Sequence, residues 1–323
     1  MNFVKYALEN GGVIKPLIIP AELTNGTGLC NPSVFVEDDK ILVNLRHIQY
    51  TLYHSEIQKY EHQYGPLVYL NPDNDISLRT TNYICELNPD LDITHYAKVD
   101  TSKLDKNPLW EFIGLEDARL IKWDEKVYLS GVRRDTTTNG QGRMELSELE
   151  FTDTSVKEVS RFRIPAPGDN TSYCEKNWMP ILDMPFHFVK WTNETEVVKV
   201  DVEEGTCETV VLKSWIDAPK DLRGGSHVIP YKGGHLTLNH ETDLYKSEAG
   251  RKNATYRHRF TYWDKDWNIQ KFSPIFSFLE AQIEFACGLT KYEDDYLITF
   301  GFQDNAAYIL RVPGKLMEDF ING

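Results

Sequence analysis

Apolar and polar positions alternate with a period near two over most of the chain. In ILVNLRH (41–47), Ile41, Val43 and Leu45 fall on one side and Leu42, Asn44 and Arg46 on the other, the pattern of a strand with one packed face. Similar runs recur at 126–132 (KVYLSGV), 186–191 (FHFVKW), 195–200 (TEVVKV), 208–213 (ETVVLK), 235–240 (HLTLNH), 259–263 (RFTYW) and 296–302 (YLITFGF). Aromatic and β-branched residues fill them, and Gly, Asn, Asp or Pro separates them. Only the terminal GKLMEDFING reads as a short turn or helix. The chain is therefore expected to be all-β.

A larger unit also repeats: a loop with acidic or small polar residues, a strand, a turn such as DDK, DEK or KGG, and a second strand. It recurs at 31–46, 116–134, 177–191, 225–240 and 285–301. Five such units, with chain between them for two more strands each, predict a five-bladed β-propeller. A β-sandwich of irregular strands is the alternative that periodicity leaves open. No linker-like composition interrupts the chain, so residues 1–323 are expected to form one domain. Within it, 47–112 is a long insertion between the first and second units, readable as a lid, a partner surface or an acceptor-binding loop.

Charge narrows the ligands. With 35 Lys and Arg against 49 Asp and Glu, the net charge is −14 and the pI is near 5.1. Such a chain gains no non-specific attraction to nucleic acid or anionic lipid, so an anionic ligand requires a local basic cluster. No stretch approaches the ~18 apolar residues of a membrane span, and Lys5 and Glu9 interrupt any signal-peptide core. A cytoplasmic protein is expected, in which the sequons at Asn25, Asn170, Asn193 and Asn253 are accidental. The five cysteines, scattered and never in CxxC spacing, read as reduced and mostly buried thiols. GTGLCN (26–31) lacks its third glycine and a βαβ context, HETD (240–243) lacks a second histidine, and the nine histidines show no ligand spacing. No metal or cofactor is expected.

The units carry a more specific signal. GLEDARLIKWDEKVYLSG resembles the G-x-E-D-P-R signature and hairpin of the β-mannoside phosphorylases, glycoside hydrolase family 130, and of related mannosyltransferase/phosphorylases of protozoan parasites. NPSVFVEDDKILVNLR is similar to the family's first N-P-x hairpin, EKNWMPI to its lysine segment, and LTLNH to a strand ending in histidine. EFACGLTKYEDDYLITFGFQDNA is similar to its last F-x-C-G hairpin and terminal aspartate. The resemblance spans about residues 31–310. It implies a five-bladed propeller with its active site in the central funnel, and phosphorolysis or transfer of a glycosyl group, commonly β-mannosyl.

On that resemblance Asp117 is the catalytic acid, beside Glu116. A carboxyl group partly withdrawn from water can hold the proton that a leaving oxygen needs. An inverting phosphorylase needs no second carboxylate, because phosphate is already an anionic nucleophile, whereas an inverting hydrolase needs a base to activate water. Glu116, Glu284 and Asp304 are the candidates for that base. Read without the resemblance, Asp117 caps a turn and pairs with Arg119. Ala118 departs from the family's proline and leaves the backbone after the acid without that constraint. Arg46, Arg133 or Arg134, Lys176 and His240 end strands or loops of different units and form the expected phosphate cluster, although each alone also reads as a surface charge. Alternation allows only one of Arg133 and Arg134 to face inward. Asn31, Arg46, Glu116, Asp304 and Gln303 are candidates for the sugar hydroxyls, with Trp178 or Tyr173 as stacking surfaces. Cys287 and Gly288 are expected to shape a tight turn and pack the core, with no chemistry assigned to the thiol. TYRHRF (255–260) reads either as a strand with one cationic face or as a rim contact to a phosphorylated ligand, and RGGSH (223–227) as an amide-rich turn that a phosphate could approach.

The expected activity is inverting glycosyl transfer with a phosphate-bearing partner. Inorganic phosphate would make the protein a glycoside phosphorylase, and a nucleotide sugar would make it a glycosyltransferase. A non-catalytic carbohydrate-binding protein and an inverting hydrolase are the alternatives. The expected partner is a sugar or glycoside, with no membrane; nucleic acid is disfavoured by charge and stays open only as an acceptor.

Overall fold

The computed structural model describes residues 1–53, 68–70, 77–168, 171–215, 219, 221–246 and 252–323. Residues 54–67 and 71–76 of the expected insertion, and the Asn170 sequon, lie outside the described residues. Every alternating run named above falls on a strand, from Lys40–Ile48 to Asp295–Phe302, except that Phe186 lies on the turn before His187–Trp191.

How the strands associate corrects the expectation of a five-bladed β-propeller. The hydrogen-bonded sheets are not five separate four-stranded units. One sheet has nine strands: Leu29–Glu37, Lys40–Ile48, Leu78–Leu87 and Ile93–Asp100 continue directly into Val156–Arg163, Arg143–Phe151, Lys126–Arg133 and Leu115–Trp123, with Phe112–Ile113 beside Leu78–Leu87. The join is a short parallel pair, Val99 with Val156 and Asp100 with Lys157. The first two sequence units are thus one sheet. Its end strands turn back toward each other, with the Leu120 amide donating to Ser33 Oγ at 3.0 Å, so the sheet is nearly closed like a barrel. Three open sheets accompany it. They run Val13–Pro16, Ala306–Val312, Asp295–Phe302, Glu284–Tyr292; then Met179–Pro180, His187–Trp191, Thr195–Asp201, Thr206–Lys213; then Leu222–Arg223, Gly234–Lys246, Lys252–Trp263, Ile269–Phe272, with Ile229–Tyr231 pairing to Gly234–Lys246. Thr51–Tyr53 and Val68–Leu70 make a two-stranded ribbon. The expected insertion therefore supplies two inner strands of the large sheet.

The all-β expectation is corrected as well. Helix α1 (Phe3–Glu9) is capped by Asn2, whose side chain accepts the Lys5 amide at 2.9 Å, and helix α2 covers Gly314–Asn322. Both are core elements. Phe3, Val4 and Ala7 of α1 and Leu316, Met317, Phe320 and Ile321 of α2 recur at one-face helical spacing and pack with Phe260, Phe276, Phe278 and Phe300 in the largest apolar cluster. The alternating pattern concealed α1 because its apolar stripe is only two turns long. The five cysteines are free, and all but Cys174 are buried. Among the described residues no helix is long and apolar enough to cross a membrane.

Candidate active site

Two irregular strands aim the central side chains. In Leu115–Trp123 the ladder slips opposite Ser130–Val132, and Asp117 adopts a left-handed φ of 49°. Successive strand residues normally face opposite ways; the bulge cancels that alternation and turns Glu116 and Asp117 toward the same arginine. Gly131 permits it, because a Cβ there would stand 2.5 Å from the Glu116 carbonyl oxygen. In Leu29–Glu37 the ladder slips between Cys30 and Ser33, and Asn31 has φ 45°. Gly301 lies so close beneath it that a Cβ would approach the Asn31 nitrogen to 2.7 Å. Asp304, on the turn after Asp295–Phe302, is also left-handed at 51°. Asp and Asn tolerate this conformation better than other side chains.

These positions converge on Arg46, which is buried on Lys40–Ile48. Arg46 Nη1 donates to Asp117 Oδ1 at 2.6 Å, and Asn31 Nδ2 donates to the same oxygen at 2.7 Å. Arg46 Nη2 reaches Glu116 Oε2 only at 3.4 Å, while its Nε and Nη2 donate to Thr80 Oγ1 at 3.2 and 3.1 Å. Fully buried Arg119 fixes the backbone beneath the site: Nη1 donates to the Asp117 carbonyl at 2.7 Å, and Nε and Nη2 to the Gly225 carbonyl. Asn44 Nδ2 donates to the Ala118 carbonyl at 2.9 Å, constraining the backbone where the resembled family has proline. The Arg119 pairing imagined for the Asp117 side chain is in fact made to its backbone.

Electrostatics separate the carboxyl groups. Burial raises the Asp117 carboxyl, but the Arg46 charge and the Asn31 hydrogen bond outweigh it and hold it below its ordinary value. Glu116, less intimately paired, is raised by burial and by the neighbouring Asp117 charge despite Arg46, Lys176 and Arg134. Asp304 is raised by burial, with Asp117 adding to it and Arg46, Lys176 and Asn31 opposing. His240, buried against Tyr256 and Phe285 with ring centroids 4.9 and 5.0 Å away, is pushed well below its ordinary value by burial, with the Arg223 and Lys176 charges adding to it, and so is neutral. Asn31 Oδ1, Glu116 Oε1, His240 Nδ1 and Gln303 Oε1 are buried without a hydrogen-bond partner. The expected turn at Cys287 and Gly288 is corrected: both lie within Glu284–Tyr292, where the ladder slips between Ala286 and Gly288, and the buried Cys287 thiol packs 3.8 Å from the Asp117 carbonyl.

The expected basic cluster divides. Lys176 is exposed and acts electrostatically on Glu116, Asp117, Asp304 and His240 together. Of the adjacent arginines, Arg134 bears on Glu116, donates to the Gly140 carbonyl and to the Tyr173 hydroxyl, and lies over Tyr173 and Phe112. Arg133 is not brought to the site. It is buried on the opposite face, with Nε 2.5 Å from Glu145 Oε1 and ion pairs to Asp135 and Glu158. Trp178 is not a stacking surface either: it is buried and its indole donates to Glu175 Oε2 at 3.1 Å, whereas Tyr173 is half exposed. Glu284 is spent on the backbone amides of Phe278, Leu279 and Ala281.

Four further side chains reach the same place, Thr80 and Tyr50 with no motif to mark them, and Tyr256 and Arg223 from the TYRHRF and RGGSH segments. Thr80 anchors Arg46, Tyr50 lies in the fields of Arg46, Glu116 and Asp304, Tyr256 in those of Asp304, Arg223 and Asp117, and Arg223 beside His240. Tyr256 belongs to TYRHRF, whose inward face is Tyr256, His258 and Phe260 while Arg259 pairs with Glu241 and Arg257 is exposed. In RGGSH the glycines are there for close packing rather than free amides, since a Cβ on either would collide with a neighbouring carbonyl. Among the described residues no group of His, Cys, Asp and Glu is placed to hold a metal ion.

With this geometry in view, the fold proves distantly similar to solved glycoside hydrolase family 130 structures. The β-1,2-mannobiose phosphorylase of Listeria innocua superimposes with a TM-score of 0.55 at 14% identity, covering 96% of each chain. A mannose phosphorylase of Leishmania mexicana, solved with phosphate, gives 0.53 at 12% identity over 96% of this chain and 92% of its own. A structure described among GH130 mannoside phosphorylases and the glycoside hydrolases that target β-1,2-mannosidic linkages in Candida mannan gives 0.52 at 13%, over 90% and 85%. The resemblance read from the motifs holds at the level of the fold. No protein-family model matches the sequence, and no curated protein matches it.

Proposed function

We propose that the protein is a carbohydrate-active enzyme transferring a glycosyl group at an anomeric carbon with inversion, using a phosphate-bearing partner. The observation that carries this reading is the pair of consecutive carboxyl groups, Glu116 and Asp117, turned together onto buried Arg46 within the field of Lys176. Its support is that the structures sharing this fold include a β-1,2-mannobiose phosphorylase and a mannose phosphorylase. In the synthetic direction Asp117, ionised by Arg46 and Asn31, accepts the proton of the acceptor hydroxyl as that oxygen attacks the anomeric carbon and the sugar–phosphate bond breaks. In phosphorolysis the same carboxyl, now protonated, returns that proton to the leaving oxygen while phosphate attacks from the opposite face. Arg46, Asn31 and Asp304 orient sugar hydroxyls; Lys176, Arg134 and His240 attend the phosphate. Residues 1–323 act as one unit in this proposal, since the site draws on positions from 31 to 304, and five free thiols suit a reducing cytoplasm.

The test offers sugar 1-phosphates and nucleotide sugars with a panel of sugar acceptors, comparing the parent with Asp117→Asn. Loss of an acid–base group should lower turnover by about 10²–10⁴-fold. Equal turnover by the variant would remove Asp117 from the mechanism. Glycoside cleavage that is independent of phosphate would select the hydrolase reading instead.

A further inference from the structure

Arg46 does not serve its two carboxyl partners equally. Its short contact, 2.6 Å, goes to Asp117, which also receives Asn31; Glu116 is left with one long contact, 3.4 Å, on Oε2 and none on buried Oε1. Its surroundings are Asp117 on its own strand, Arg46 from Lys40–Ile48, Tyr50 just beyond that strand, Arg134 after Lys126–Arg133, and Lys176 from the loop before Met179–Pro180. Asp304 adds a third carboxyl around the same arginine. If Glu116, Asp117 and Asp304 were all ionised, they would cancel the Arg46, Lys176 and Arg134 charges, and the Glu116 carboxylate would itself repel an anion placed against it.

We propose that Glu116 is held as a neutral carboxylic acid whose Oε1–H donates a hydrogen bond to an oxygen of the phosphate group, so that the site admits an oxyanion only while Glu116 carries its proton. The proton belongs on Oε1 because Oε2 faces the Arg46 guanidinium. An Oε1–H group in that position needs an acceptor, and a phosphate oxygen between Glu116, Lys176 and Arg134 supplies one. The direction of the Glu116 shift agrees with this assignment. No covalent step is involved; Asp117 keeps the proton transfer. The inference rests on the phosphate-handling reading above and adds the protonation state that such handling requires.

Inorganic sulfate is the probe, because it keeps its charge where phosphate titrates. Its dissociation constant for the parent is flat in acid and rises about tenfold per pH unit above the Glu116 pKa. In Glu116→Gln, whose amide still donates, affinity matches the parent's acid value within about threefold and stays flat from pH 5 to 9. Infrared spectra supply a ligand-free readout: the protonated-carboxyl C=O band of the parent at pH 7 loses intensity in Glu116→Gln. An unchanged band would overturn the proposal while leaving the phosphate reading standing. A diminished band with no sulfate bound at pH 5 would overturn it through failure of the phosphate reading itself. Should Glu116→Gln not fold, calorimetry of the parent in buffers of different ionisation heat counts the protons taken up with sulfate. The count approaches one above the Glu116 pKa, and zero at every pH would overturn the proposal.

Discussion

Replacing Arg46 by methionine tests the site's electrostatic organisation through stability alone. The change keeps a long apolar stem and removes the Nη1 contact to Asp117 and the weaker one to Glu116. Both carboxyl groups are less than a fifth exposed, so they recover little solvation in exchange. Deleting one partner of a buried ion pair costs about 3–5 kcal/mol, and Arg46→Met should lose that much at pH 8. In the parent, Asp117 has a depressed folded pKa. The pair therefore contributes stability above the unfolded value of about 3.9 and loses it as pH falls through the lower folded value. In the variant the sign reverses. Asp117, buried with Asn31 but without its guanidinium partner, should have a raised folded pKa, and its penalty shrinks by about 1.4 kcal/mol per pH unit on acidification until it is protonated. Urea unfolding at pH 5, 6.5 and 8 reads the difference. Adding Asp117→Asn to the variant should restore most of the loss at pH 8. A loss that is the same at all three pH values, or that Asp117→Asn does not relieve, would refute this account of how the carboxyl groups are held.

Two other outcomes follow from the packing and the buried histidines. Phe320→Ala should cost about 3–5 kcal/mol in unfolding experiments, because its ring packs 4.9 Å from Phe3 and 5.5 Å from Phe276; a loss below about 1 kcal/mol would show that α2 is not a core element. His258, buried among Phe276 and Phe278, has its pKa pushed down to about 3. The unfolded chain therefore binds its proton first, and stability falls from about pH 6.5 downward by up to ~1.4 kcal/mol per unit for this group. His258→Gln should flatten the acid limb by about one proton's worth, with His227 and His240 retaining theirs; an unchanged slope between pH 6.5 and 4.5 would count against a buried neutral His258.

Local pattern foretold the strands and much of the centre. Period-two runs mark Lys40–Ile48 and Asp295–Phe302 because burial on one face is a local property, and hairpin turns such as DDK and DEK are set by neighbours in sequence. Asn31, Arg46, Glu116, Asp117 and Asp304, separated by up to 273 positions, do meet. The joining of two units through Val99 and Val156 was illegible, since nothing local distinguishes an outer strand that stops from one that pairs with a distant neighbour. Alternation could say that Arg133 and Arg134 face opposite ways but not which faces Glu116; the buried Glu145 and Glu158 on neighbouring strands decide it by claiming Arg133. The left-handed turn at Asp117 was equally hidden, although Gly131 across the ladder is its trace. Trp178 misled because an aromatic next to a candidate lysine looks like a sugar platform until its indole is found bonded to Glu175.

The pairing of Val13–Pro16 with Ala306–Val312 has a consequence for how competence is acquired. An early segment of the chain lies beside one made almost three hundred residues later, a closure among the slowest kinds of contact to form because of its sequence separation. Asp304 sits on the turn that leads into the later strand. A nascent chain that has already shaped the bulge at Asp117 and seated Arg46 therefore still lacks one wall of its centre. Activity should emerge in a single late step during synthesis, when that clasp fastens, and a protease that cuts between residues 302 and 306 would silence the protein while leaving most of its sheets intact.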